Sequence, residues 1–365
     1  MKKIAMVMVA LAFAALTFAG CSVEQKEMYT LENASGMKVV VTPFGARIVS
    51  VFVPDRDGNM QDVVLGFDGE ISYHPEYNLT DFGATIGRYA NRIGGGRLVI
   101  DGKEYQLPQN NFGHCLHGGP TGWQYQPYTV EKVTKNSIRL RIDSPDGDNN
   151  FPGNVTAKVT YTLTPKNAID IKYEAVTDAP TVVNMTNHSY FNLNGNPELT
   201  VENCILTVNA DCFTPVDSTF MTTGEILPVE GTPMDFRTGV EIGNVVSNFD
   251  FEQIRNGRGI DHNWCLNTYR DGKGDDSVVA ASVYSPLTGI NLDVYTDEPG
   301  IQVYSGNFLD GTVIGKKGIV YGKHAAICLE TQKYPDSPNK PQWPSALLRP
   351  GDKYMSHTIF AFSVK

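Results

Sequence analysis

The feature that most constrains this 365-residue chain is an alternation of apolar and polar residues with a period of two. In the stretch NVTAKVTYTLT, Val155, Ala157, Val159, Tyr161 and Leu163 fall on every second position. After Pro165, Lys166 and Asn167 the same period resumes with Ile169, Ile171, Tyr173 and Ala175. Successive side chains of a strand point to opposite faces, so this spacing describes two strands with one core face each, joined by a hairpin turn. Shorter runs of the same kind recur at 38–42, 47–53, 137–143, 278–284, 290–296 and 354–364, while helical periodicity is almost absent. The 35 glycines and 21 prolines are scattered between the runs as turn punctuation rather than gathered into a linker. No repeat of fixed period is present, which disfavours a propeller, and no domain boundary stands out. The pattern predicts an all-β fold, a large antiparallel sandwich or barrel of sheets packed face to face.

The amino terminus stands apart from this pattern. Lys2 and Lys3 precede an apolar run from Ile4 to Phe18 that ends in Ala19, Gly20 and Cys21. The run is shorter than the roughly 20 residues of a membrane-spanning helix, and small residues at its end suit a signal peptidase. The segment resembles a bacterial lipobox, with Phe18 where Leu is usual. That implies cleavage before Cys21, lipid on Cys21, and attachment to a bacterial membrane through that anchor alone, on the periplasmic or outer face. Ordinary secretion is the simpler reading. The expected division is a cleaved signal over 1–20, a tether over 21–30 and one domain over 31–365. A formal charge of −10, more negative still once Lys2 and Lys3 leave, argues against nucleic acid as a partner. Cys115, Cys204, Cys212, Cys265 and Cys328 show no C-x-x-C spacing, and Cys204, Cys265 and Cys328 sit in apolar runs. No structural disulfide is expected.

Polar groups gather among aromatics in GRYANRIGGGR (87–97), CLHGG (115–119), TNHSYFNLNG (186–195), GIDHNWCL (259–266) and CLETQKYPDSPN (328–339). Each has a plain structural explanation when taken singly: a hydrogen-bonded histidine, a surface ion pair for Arg92, a strand end for Glu330. Together, His, Asp, Glu, Arg and Asn among Tyr and Trp suit a sugar, whose ring faces pack on aromatics and whose hydroxyls bond charged and amide groups. Glu330 closes the apolar run Ala325–Leu329, where a carboxylate costs desolvation unless its surroundings use it. His114 and His117 form an H-x-x-H pair, but glycines and Pro120 around them indicate a loop rather than a chelating helix, and no metal is expected. The triplet Gly94, Gly95, Gly96 lacks a following Lys-Ser or Lys-Thr, and no G-x-S-x-G elbow occurs.

The segments GATIGRYANRIGGG, LHGGPTGW, DGDNNFPGNV, NHSYFNLNG, GIDHNW, PGIQVYSGNFLDG and LETQKYPDSPN resemble, in order and spacing, the aldose 1-epimerases, also called galactose mutarotases. The resemblance covers nearly the whole chain after the signal. It implies a galactose mutarotase-like β-supersandwich with an open cleft, no cofactor and a free monosaccharide as substrate, with a monomer as the default. Carried over residue by residue, it makes His188 the acid and Glu330 the base. Substrate-holding roles fall on Asn91, Arg92, His117, Ser189, Tyr190, Asp261 and Gln302. Tyr334 departs from a position often held by Trp, while Ser189 and Asp336 keep the usual chemistry.

Exchanging anomers of an aldohexose such as glucose or galactose requires the ring to open, the carbonyl end to turn and the ring to reclose. One group removes the anomeric hydroxyl proton while another protonates the ring oxygen, and the roles reverse on closure. Two other readings remain open at this level. A non-catalytic sugar-binding lipoprotein would keep the aromatics but has no need of Glu330 or His188. A glycosidase would want a carboxylate pair, for which Asp261 and Glu330 are candidates.

Overall fold

The computed structural model describes residues 27–365, so Cys21 and the signal stretch 1–20 lie outside the described residues. The expected hairpin is present, Val155–Leu163 against Ala168–Thr177, with Val155 opposite Thr177 and Leu163 opposite Ile169. It lies inside a nine-stranded antiparallel sheet. In spatial order the strands are Thr129–Val133, Ser137–Ser144, Val155–Leu163, Ala168–Thr177, Tyr354–Val364, Ile290–Thr296, Ala281–Tyr284, Ile205–Val208 and Val240–Glu241. Along Val155–Leu163 every odd-numbered residue is buried, the burial that the period of two predicts. The run at 278–284 forms strand only from Ala281, because Val278 is held in a turn on Asp275. The first strand, Tyr29–Glu32, opens inside the stretch read as a tether, since Tyr29 pairs with Val41 and is buried. All five cysteines among the described residues are free thiols.

A six-stranded sheet carries the polar residues singled out above. Its order is Tyr190–Phe191, Ile327–Gln332, Gly300–Tyr304, Asp261–Cys265, Cys212–Thr214 and Leu227–Pro228. The register sets Gln302 opposite Glu330 on one side and Asn263 on the other, and Tyr304 opposite Asp261 and Cys328. One face therefore presents Glu330, Gln302, Tyr304 and Asp261. The other presents Leu329, Ile327, Ile301, Val303 and Trp264, all part of the main hydrophobic core. Glu330 does not end its strand: the strand runs on to Gln332, with the carboxylate on the face turned away from that core.

A two-stranded bridge, Ala84–Ile86 with Thr186–His188, joins the two large sheets. Tyr161 of the nine-stranded sheet donates its hydroxyl to the Ala46 carbonyl at 2.8 Å and lies 2.7 Å from the Thr85 hydroxyl. Thr85 pairs with Asn187, whose side-chain amide donates to the Gly83 carbonyl at 2.9 Å. The Gly83 amide in turn donates to the His188 carbonyl at 3.0 Å. Gly83 has φ +68°, and a Cβ there would fall 1.9 Å from the Ile48 carbonyl oxygen, so this approach to His188 requires glycine. Buried hydrogen bonds anchored on Tyr161 of the nine-stranded sheet thus hold the backbone at His188.

Candidate active site

A cleft of about 440 Å³ opens over the polar face of the six-stranded sheet. Asn91, Arg92, His117, His188, Tyr190, Asp261 and Glu330, all named from the sequence, line it. His188 Nε2 stands 3.4 Å from Glu330 Oε1, with side chains 6% and 2% exposed. Among the described residues His188 Nδ1 and Glu330 Oε2 are buried without a hydrogen-bond partner. Tyr190 stacks on the His188 ring with centroids 5.1 Å apart and planes at 25°, while His117 meets it edge-on at 5.3 Å. These rings fix the plane of the imidazole, with Nε2 toward Glu330.

Burial acts on the pair in opposite senses. It raises the Glu330 carboxyl well above its usual range, helped by the negative charges of Asp261 and Asp81 and opposed by Arg92. It lowers the His188 imidazole, opposed chiefly by Asp81. The two proton affinities are driven toward one another, the condition for a proton to pass in either direction.

His117 has a different character. Its backbone is left-handed, at φ 51°, and its Nδ1 accepts the Asn91 amide at 3.2 Å. Burial brings its proton affinity down to about 3, so the ring is neutral, and because Nδ1 accepts, the proton sits on Nε2. His117 is a fixed hydrogen-bond donor. Donor atoms of Asp81, His117 and His188 lie within 4.8 Å of one another, close enough for a metal ion. The His117 tautomer opposes that use, since a metal would need the Nε2 lone pair that the proton occupies. His114 stands apart from His117, accepting the Gly95 amide at 3.0 Å and meeting the Thr219 hydroxyl at 2.9 Å.

Arg92 donates twice to Asn111 Oδ1, at 3.2 and 2.8 Å, and lies 5.1 Å from the Phe220 ring centroid. Asn91 receives the Arg92 amide on its side-chain oxygen at 2.8 Å. Asp261 accepts Gln302 Nε2 at 2.7 Å, and burial raises its carboxyl against the pull of Arg92.

Two expected substrate contacts, Gln302 and Ser189, are not among the residues lining the cleft. Gln302 does not line the cleft but buttresses Asp261 from the neighbouring strand. Ser189 is buried, lies between the strands Thr186–His188 and Tyr190–Phe191, and is also absent from the lining. Tyr334 and Asp336 are also absent from the lining: Asp336 accepts the Gly94 amide at 2.8 Å and Tyr334 packs edge-on to Trp343. Asp81, Asn111, Tyr304, Phe112 and Phe308 line the cleft without having been singled out. Tyr304 was within reach of the alternation argument, two residues beyond Gln302 on the same face. Asp81, in the segment LTDFG, carries no signal of spacing or neighbours.

Residues 27–361 match the family model described as aldose 1-epimerase. The chain is 42% identical to the galactose mutarotase of Mus musculus over 355 residues, 96% of this chain and 97% of that protein. It is 38% identical to the aldose 1-epimerase of Escherichia coli (strain K12), over 92% of this chain and 94% of that protein. Among solved structures, an aldose epimerase homologue from C. elegans superposes with a TM-score of 0.84 at 34% identity, covering 92% of this chain and 98% of that one.

Proposed function

The chain belongs to the aldose 1-epimerase family and is a mutarotase, an isomerase acting on carbohydrates, and from that premise we propose how its cleft exchanges the anomers of a free aldose. Glu330 removes the proton from the anomeric hydroxyl as His188 delivers one to the ring oxygen. The bond between the anomeric carbon and the ring oxygen breaks, and the anomeric carbon becomes an aldehyde. After a half-turn about the adjoining carbon–carbon bond, the freed hydroxyl attacks the other face of the carbonyl. It returns its proton to His188, and Glu330 protonates the new anomeric oxygen. The observation carrying this reading is the opposed pair, Glu330 and His188 at 3.4 Å in one cleft, each with a buried polar atom lacking a partner among the described residues.

The remaining lining groups hold the sugar. The neutral His117 donates from Nε2 toward the ring-oxygen edge, Arg92 and Asn91 offer donors beside it, and Tyr190 supplies an aromatic wall. Asp261, steadied by Gln302, accepts hydroxyls at the edge away from the reacting carbon. Asp261→Asn replaces a charged acceptor by a neutral one, and the KM should rise about 10- to 100-fold, the 1.5–3 kcal/mol of a charged hydrogen bond, with a smaller change in kcat. Initial rates at varied sugar concentration check this. An unchanged KM would remove Asp261 from the binding set.

Polarimetry of freshly dissolved α-glucose, α-galactose, xylose and arabinose, against the spontaneous rate in buffer, tests the function and ranks the substrates. Acceleration of one or more is expected, with no release of aryl alcohol from aryl glycosides. Sugar binding without acceleration would favour the non-catalytic lipoprotein, and glycoside cleavage the glycosidase.

We further propose that the protein is exported, cleaved before Cys21 and held at a bacterial membrane by lipid on that residue. The lysine-led apolar run ending in Ala19-Gly20-Cys21 supports this. Mass spectrometry of the membrane-bound form should find an amino-terminal peptide beginning at an acylated Cys21; an unmodified peptide spanning Gly20 and Cys21 would overturn it. The proposed working unit is one chain, because a single chain supplies every group named for the cleft.

A further inference from the structure

A third carboxylate enters the cleft beside the two imidazoles. Asp81 precedes the bridge strand Ala84–Ile86, and its own carbonyl accepts the Ala84 amide at 3.1 Å. Its Oδ1 accepts the Tyr125 hydroxyl at 3.0 Å, and no hydrogen bond engages Oδ2 among the described residues. One donor atom of Asp81 lies within 4.8 Å of those of both His117 and His188. The cleft thus gathers an acid that the reaction described above does not use, next to the group proposed to carry the proton.

What fixes Asp81 is a buried cation behind it. Arg47 is fully buried, donates to the Phe82 carbonyl at 2.9 Å and to the Gln124 carbonyl at 2.7 Å, and lies 5.2 and 5.8 Å from the ring centroids of Tyr73 and Tyr125. Phe82 follows Asp81, and Gln124 precedes Tyr125, the residue that bonds the Asp81 carboxylate. One guanidinium therefore clamps both backbone segments on which the Asp81–Tyr125 contact depends. A fully buried arginine is costly to maintain, and it directs its donors to the two carbonyls beside this pair.

We propose that Asp81 is a positioning residue for His188, its negative charge keeping a proton on the imidazole between turnovers. The proposal rests on His188 being the acid. The groups facing His188 are Glu330 from strand Ile327–Gln332, Tyr304 from strand Gly300–Tyr304, His117 from its loop, the neighbouring Tyr190, Arg47 from behind, and Asp81. Burial drives the His188 proton off, Arg47 adds to that, and Asp81 is the leading charge that opposes it. His117 is neutral and withdraws nothing by charge. At so buried a position an imidazolium without such a counter-charge would give up its proton before the sugar arrived.

Asp81→Asn tests this, since the amide oxygen still accepts from Tyr125 while the charge is lost. The rate must fall as the last proton leaves the Glu330–His188 pair. Removing a neighbouring negative charge makes that loss easier, so the alkaline limb of the kcat/KM profile should move to lower pH by about one unit or more. Activity should then recover as the pH is lowered, and Asp81→Glu should return the limb toward the wild-type position. In parallel, NMR of ring-labelled histidine, with the His188 signal assigned by its disappearance in His188→Asn, should show the same downward shift. A rate lowered equally at every pH, or an unmoved His188 titration, would overturn the role of Asp81 even where His188→Asn is inactive. An active His188→Asn variant would instead remove the acid on which the proposal rests.

Discussion

Glu330→Gln lowers the rate of anomer exchange by about 100- to 10,000-fold, the usual worth of a general base, while the sugar still binds. The amide keeps the shape of the carboxylate and its place on the strand between Leu329 and Thr331, but it cannot take the anomeric proton. Polarimetry gives the rate, and quenching of the protein's tryptophan fluorescence or calorimetry gives the binding. The same substitution should leave the melting temperature unchanged or raise it. The native carboxyl is 2% exposed with one oxygen unpartnered, and a neutral group is easier to bury than a charged one. A slower but sturdier protein is the signature of a group retained for chemistry. Near-normal turnover in Glu330→Gln would exclude it as the base.

His188→Asn should produce a loss of the same order, about 100- to 10,000-fold, because the ring oxygen then leaves as an unprotonated alkoxide. The double variant should be about as slow as the slower single one, since two groups that exchange one proton act as a unit. Multiplicative losses would mean that the two residues serve independent steps. The wild-type profile follows from the same pairing. The rate falls at low pH when the pair gains a second proton and at high pH when it loses its last. Burial raises Glu330 and lowers His188, so both limbs are displaced from those of an ordinary carboxylate and imidazole. The limbs describe the pair rather than either residue alone.

Much of the framework was legible from alternation alone. The runs at 38–42, 290–296 and 354–364 are strands over those bounds, and the Pro165-Lys166-Asn167 interruption is a hairpin turn. A strand with one buried face writes its period directly into the residues. The site was less legible, because adjacency within a motif says nothing of direction. Ser189 stands beside His188 in sequence yet is absent from the cleft lining, and Gln302, on the cleft face of its sheet, donates to Asp261. His188 and Glu330 were assigned through the resemblance of their motifs. Their approach to 3.4 Å depends on how the bridge strands meet the six-stranded sheet, which local periodicity does not encode. Asp81 escaped notice for the same reason: its meaning lies in Tyr125, Arg47 and the two imidazoles, all supplied from other parts of the chain.

The six-stranded sheet devotes one side of the same few strands to the greasy interior and the other to the sugar. Shifting any of those strands by a single position would exchange the two sides, so an insertion or deletion there should destroy folding and turnover in one stroke. Point changes behave otherwise. Odd- and even-numbered positions along such a strand answer to separate demands, and a lineage or an engineer retuning which aldose fits has a set of sites to vary that the interior does not police.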